Sequence, residues 1–187
     1  MKRLVRYKLN FESKWLTFSG VMMGVAFFIQ ALDYFALRQL HTVDIWQLLL
    51  FLILPMVLEV CWCVPLRSEI WSRAEVHGVF AALICLVLLC QSFLIGDVFA
   101  SVLMTVFFVL GGATAVLITF GLISHLALGM LVFAAVVVVK VLLFTLPQYV
   151  ADGYISLISE LPSICAIVGM LLFFGGMRGE GIPSIEE

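Results

Sequence analysis

Charge is what this chain has least of. Only 12% of its 187 residues are Asp, Glu, Lys or Arg, against about 25% in an ordinary soluble domain. So few charged side chains can neither cover a water-facing surface nor keep a chain disordered, which excludes both a compact soluble fold and an intrinsically disordered one. Ten basic residues stand against twelve acidic ones, and a net charge of -2 repels phosphate, so nucleic acid is excluded as a partner. The five prolines are scattered and no Gly/Ser-rich linker interrupts the chain, which makes residues 1–178 a single domain. Residues 179–187, with Gly179, Gly181, Pro183 and three glutamates, read as a flexible cytoplasmic tail.

Recognisable chemistry is also scarce. There is no phosphate-binding glycine loop, no metal-binding His/Glu motif and no Ser/His/Asp arrangement, so no catalytic residue, metal or cofactor is expected. The five cysteines all fall within apolar stretches and read as small buried hydrophobes. Cys61 and Cys63, two apart on a helix, point about 200° away from each other and cannot grip one metal ion.

What is present is apolar: 64% of the side chains are hydrophobic and the mean hydropathy is +1.22. About 20 mainly apolar residues cross the hydrocarbon core as a helix. Six such runs occur, at approximately 15–38, 45–64, 75–95, 98–121, 123–146 and 153–176. The expected fold is all-α, a polytopic six-helix bundle in which short connections force sequential helices to lie antiparallel. Lys2, Arg3, Arg6, Lys8, Lys14, Arg67, Arg73 and Arg178 fall on one side of such a bundle, and the positive-inside rule makes that side cytoplasmic. Both termini are then cytoplasmic, and the protein is expected in the cell membrane as a multi-pass chain.

Asp44, Ser72, Asp97, Ser124 and Asp152 stand where helix starts need an acceptor for unpaired backbone N–H groups. Residues 1–15 mix five basic side chains with Leu4, Val5, Leu9, Phe11 and Trp15, a composition that suits a short interfacial helix.

Ionisable groups at bilayer depth are costly, about 2.5–3.5 kcal/mol each at a helix centre, so each needs a partner or a role. Four stand out: Asp33, Glu59, Lys140 and Glu160. The helical rise puts Lys140 roughly 10 Å and Glu160 about 10–12 Å below the outer ends of consecutive antiparallel spans, which predicts an ion pair between them. Asp33, about 8 Å from the outer end of the first span, shares that depth, and Gln30 shares its helix face. Gln30, Asp33, Lys140 and Glu160 therefore form the expected ligand-binding group, with Lys140 holding an anionic group and Glu160 or Asp33 a cation or proton. Glu59 is secondary, because it can reach toward the inner interface or Arg67. Pro55 and Pro162 each remove a backbone hydrogen bond beside an acidic residue, and broken helices at this depth often line cavities.

Small residues at helical spacing provide packing faces in lipid. Ser101, Thr105, Gly112, Ala115 and Thr119 make one such stripe, and Gly20 with Gly24 makes a second, suited to an internal contact or a partner subunit. The 67–73 loop, with Ile70 and Trp71 between arginines, offers a second place for a membrane subunit or a cytoplasmic ATPase to dock.

Six helices with both ends inside resemble the substrate-capture subunits of vitamin uptake systems energised by a separate ATPase. That resemblance implies a solute transporter or the substrate-binding membrane subunit of a transport complex. The alternative is a non-catalytic structural or assembly subunit whose charged pair is purely architectural. A third reading rests on Arg73-x-x-x-His77-Gly78 followed by Cys85, which resembles the small membrane peptidases that trim quorum-sensing propeptides and implies an intramembrane cysteine peptidase. The spacing opposes it, since eight helical residues separate His77 from Cys85 by about 12 Å along the axis.

Overall fold

A computed structural model describes residues 5–9, 14–33, 49–63, 74–92, 98–120, 122 and 126–181. Every long element is helical. In chain order they are α1 (Lys14–Leu32), a π turn (Leu49–Ile53) leading into α2 (Leu54–Cys63), α3 (Ala74–Ser92) and α4 (Val98–Thr119). Then come α5 (Leu126–Lys140), a second π turn (Val141–Thr145), α6 (Leu146–Asp152) and α7 (Tyr154–Gly176). Four described stretches are long and apolar enough to cross a membrane: Lys14–Leu32, Ser101–Thr119, Leu126–Asp152 and Leu157–Gly176. Val76–Gln91 is a shorter apolar helix.

The core is largely apolar, built around Trp62, Phe133, Phe173 and Phe174, but the outer surface, unlike that of a soluble protein, is apolar too. Phe18, Phe28, Phe99 and Leu131 are exposed, while Gln30, Asp33, Glu59, His77 and Lys140 are buried. Apolar side chains facing outward on α1 to α5 are what hydrocarbon solvates, whereas α7 is largely covered from Leu157 onward; the backbone groups within such helices are satisfied along the helix itself.

The bundle closes because α7 packs against both α1 and α5 while α3 packs along α4. The Ser101–Thr119 stripe serves the second of these contacts: Gly112 lies against Cys85 and Ala82, and a Cβ at Gly78 would run into Thr119. The hydroxyls of this stripe are used within their own helix, with Thr105 donating to the Ser101 carbonyl at 2.7 Å and Thr119 to that of Ala115 at 2.5 Å. Gly24, in contrast, has no atom near the position of an added Cβ.

Both π turns sit just ahead of a proline, Pro55 or Pro147. Proline lacks the N–H that would bond the carbonyl four residues back and its ring crowds that carbonyl, so a wider i→i+5 turn relieves both problems. In the second π turn, Thr145 donates its hydroxyl to the Lys140 carbonyl at 3.3 Å.

The fifth span accordingly does not end at residue 146. Helical structure continues through Pro147 to Asp152, placing Lys140 near the middle of this 27-residue stretch, about 21 Å from its start. Gly153, with φ of 75°, adopts the left-handed backbone that reverses the chain into α7. Asp152 therefore ends α6 and is no N-cap; Gly153 holds the cap position of α7 without a side-chain bond. Asp44, Ser72, Asp97 and Ser124 lie outside the described residues, as does the 67–73 loop.

Two strands depart from the expected all-helical pattern. β1 (Val5–Leu9) pairs antiparallel with β2 (Met177–Gly181), from Val5 opposite Gly181 to Leu9 opposite Met177. An interfacial helix was expected across the first strand and a free tail from residue 179, but backbone pairing ties the two segments together at one end of the bundle. Residues 182–187 lie outside the described part.

Candidate functional site

Lys140 and Glu160 form an ion pair, with Nζ 2.5 Å from Oε2 and both side chains largely buried. Along the helical path Lys140 lies about 18 Å before Asp152 and Glu160 about 12 Å after it, so the residues are less level than sequence depth implied. The widened turn between them and the four-carbon stem of lysine take up the difference. Phe144, one turn beyond Lys140, places its ring centroid 5.8 Å from the ammonium.

The pair lines a cavity of about 130 Å³ inside the bundle, large enough for several waters. Every long helix contributes to its wall. Gln30 and Asp33 come from the end of α1, Pro55, Leu58 and Glu59 from α2, and Gln91 with Val87 and Leu88 from α3. Met104 and Phe108 come from α4, Lys140 from α5, and Ser159, Glu160, Pro162 and Ser163 from α7. All five residues singled out in the sequence, Gln30, Asp33, Glu59, Lys140 and Glu160, thus border one space.

Glu59 departs most from expectation. It is 3% exposed and lines the cavity, where an interfacial position was one expectation; Arg67, the other expected partner, lies outside the described residues. Its Oε2 has no hydrogen-bond partner among the described residues. Sequence reasoning missed Gln91, Ser159 and Ser163. Ser163, three residues on, lies about 60° around the helix from Glu160 and shares its face, whereas the adjacent Ser159 lies about 100° away. Pro162 removes the N–H that would bond the Ile158 carbonyl, and Ser163 donates to the Glu160 carbonyl at 2.8 Å.

A second polar group lies toward the ribbon end. Trp62 Nε1 donates to Ser19 Oγ at 3.1 Å, and Ser19 Oγ donates to the Gly169 carbonyl at 2.6 Å, linking α2, α1 and α7. His77 stacks on Phe173 with centroids 4.9 Å apart and meets the edge of Trp62 at 5.2 Å. This fully buried histidine is wedged among aromatic rings. Cys85, eight residues farther along α3, touches the region of Gly111 and Gly112 instead, so the two residues of the peptidase reading do not come together.

Among the described residues no group of three or more His, Cys, Asp or Glu side chains is arranged to hold a metal ion. Apolar spanning helices around a buried polar cavity define a helical membrane protein. No family model, curated protein or solved structure matches the chain.

Proposed function

We propose that the chain is a small-solute transporter or the substrate-binding membrane subunit of a transport complex, with the Lys140 cavity as its polar site. The observation that carries this reading is convergence: Gln30, Asp33, Glu59, Lys140 and Glu160 reach one cavity from four different helices. An ion pair that only fixes helix register needs Lys140 and Glu160; it does not need two further carboxyl groups. Intramembrane ionisable groups facing a bundle interior commonly mark solute and ion pathways. Prolines beside three of the helical segments supply the interrupted backbone found at such sites.

In this reading the chain crosses the cell membrane six times with both termini cytoplasmic, and the cavity opens from outside. A partner subunit or ATPase docks on the Gly20/Gly24 face or the 67–73 loop. Gly24 opening outward from the bundle favours the first surface.

The test is a thermal-unfolding screen of small charged solutes against the purified protein and the Lys140→Met/Glu160→Gln variant. A ligand at 100 times its Kd raises stability by about 2.7 kcal/mol. A solute that stabilises the native protein and leaves the folded variant unmoved supports the reading. Equal stabilisation of both proteins removes the pair from the site.

The second reading, a structural or assembly subunit, draws on the closeness of the Lys140–Glu160 contact, since a satisfied pair can serve geometry alone. It predicts that no solute in the screen changes stability.

A further inference from the structure

The charges around the cavity do not balance. Among the described residues, Asp33, Glu59 and Glu160 bring three carboxyl groups against the one ammonium of Lys140, and Glu160 already engages that ammonium. Asp33 has an interaction of its own. Glu59 is left buried, facing the cavity, with Oε2 unpartnered among the described residues. An ionised carboxyl group in that position is uncompensated, so it is held neutral by a proton or matched by a cation.

We infer that the cavity takes a small organic ammonium, bound by Glu59 as that side chain gives up its proton. This rests on reading the cavity as a solute site. Three observations select the ligand class. Leu58, Val87, Met104 and Phe108 give the cavity an apolar wall, which suits an alkyl body and, at Phe108, an aromatic ring for the cation. The acidic groups among the described residues are not clustered for a metal ion, and a hard inorganic cation needs several oxygen ligands to replace its water. The volume of about 130 Å³ lies below the about 300 Å³ at which drug-sized pockets begin, which limits the ligand to a few carbon atoms.

The exchange balances. Before binding, Glu59 carries its proton and is neutral; on binding, that proton leaves to water and the positive charge of the ammonium replaces it. The other groups facing this event are Asp33 from α1, Lys140 from α5, and Glu160 and Cys165 from α7, while α3 presents Gln91 and α4 lines the cavity with Met104 and Phe108. Lys140 and Glu160 neutralise each other throughout, so one proton is expected per ligand.

The experiment is calorimetric titration of the purified full-length protein with ethylammonium chloride at pH 6, 7 and 8. Each titration is run in two buffers of different ionisation heat, with ethanol and sodium acetate as comparison solutes. Release of one proton per ethylammonium, binding about tenfold tighter per pH unit while Glu59 is protonated, and no binding of ethanol or acetate are expected. Glu59→Gln, nearly the same in shape, removes the counter-charge and should abolish ethylammonium binding together with the proton release. If that variant fails to fold, the proton count of the native protein decides. Ethylammonium binding without proton release overturns the inference. Binding of acetate or ethanol in its place overturns it too, yet leaves the cavity a solute site. Failure of all three to bind refutes the cation assignment, and the broader solute screen then judges the transport reading independently.

Discussion

Lys140 and Glu160, carried by helices on either side of the Gly153 reversal, close an ion pair of 2.5 Å in the wall of a cavity that all the long helices border. Removing one member strands the other in a low-dielectric interior. Lys140→Met or Glu160→Leu alone should destabilise the protein by about 3–5 kcal/mol, whereas the double replacement should be close to neutral. A double-mutant cycle of thermal unfolding in detergent measures the coupling. Additive single effects would show that the pair contributes no specific energy.

Ser19 is both acceptor for the buried Trp62 N–H and donor to the Gly169 carbonyl. Ser19→Ala should therefore destabilise the bundle by about 1–3 kcal/mol, since Trp62 keeps a buried donor with no acceptor from α1. Unfolding followed by tryptophan fluorescence reports it. Trp62→Phe in the Ser19→Ala background should cost less than Trp62→Phe alone, because the orphaned donor is already present.

Gly78 allows α3 to touch Thr119 of α4. Gly78→Ala should cost about 1–3 kcal/mol by overpacking, and Thr119→Gly in the same molecule should recover most of it because the obstructing atoms include the Thr119 Cβ. A Gly78→Ala protein as stable as the native one would mean that the two helices separate without penalty.

Leu131 is exposed on the outer face of α5. On a soluble protein an arginine there would change stability by less than about 0.5 kcal/mol. In a membrane Leu131→Arg, about 7.5 Å from the start of α5, should disfavour insertion by a part of the about 2.5–3.5 kcal/mol that a helix-centre position costs, read from the inserted fraction in a glycosylation-site assay. Unchanged insertion would argue against lipid at that face.

Much of this arrangement was legible because apolar length and helical rise are simple measures. The Lys140–Glu160 pair follows from depth alone, although the depths are unequal: the span expected to stop at residue 146 continues past Pro147 to Asp152, because the π turn ahead of the proline accommodates it. Glu59 was harder. Its distance along α2 suggested an interface, while its direction into the cavity depends on how α2 is rotated against α1 and α3, which periodicity fixes poorly in a helix apolar on every side. The ribbon left a readable trace. Val5-Arg6-Tyr7-Lys8-Leu9 alternates apolar and basic residues with the period of a strand, but its basic charges equally suit an interfacial helix on lipid. Its partner, Met177–Gly181, carries no such alternation, and a pairing so distant in sequence has no local signal.

That ribbon also sets a sequence of events for biogenesis. β1 leaves the ribosome before α1 to α7, yet its backbone partner exists only after α7 has been synthesised. Until then its N–H and C=O groups have water or lipid headgroups for company, and loop closure over nearly the whole chain makes the pairing a late step. The two strands therefore act as a clasp that fastens once α7 is in place, and a chain truncated within α7 would leave β1 with an unfastened edge.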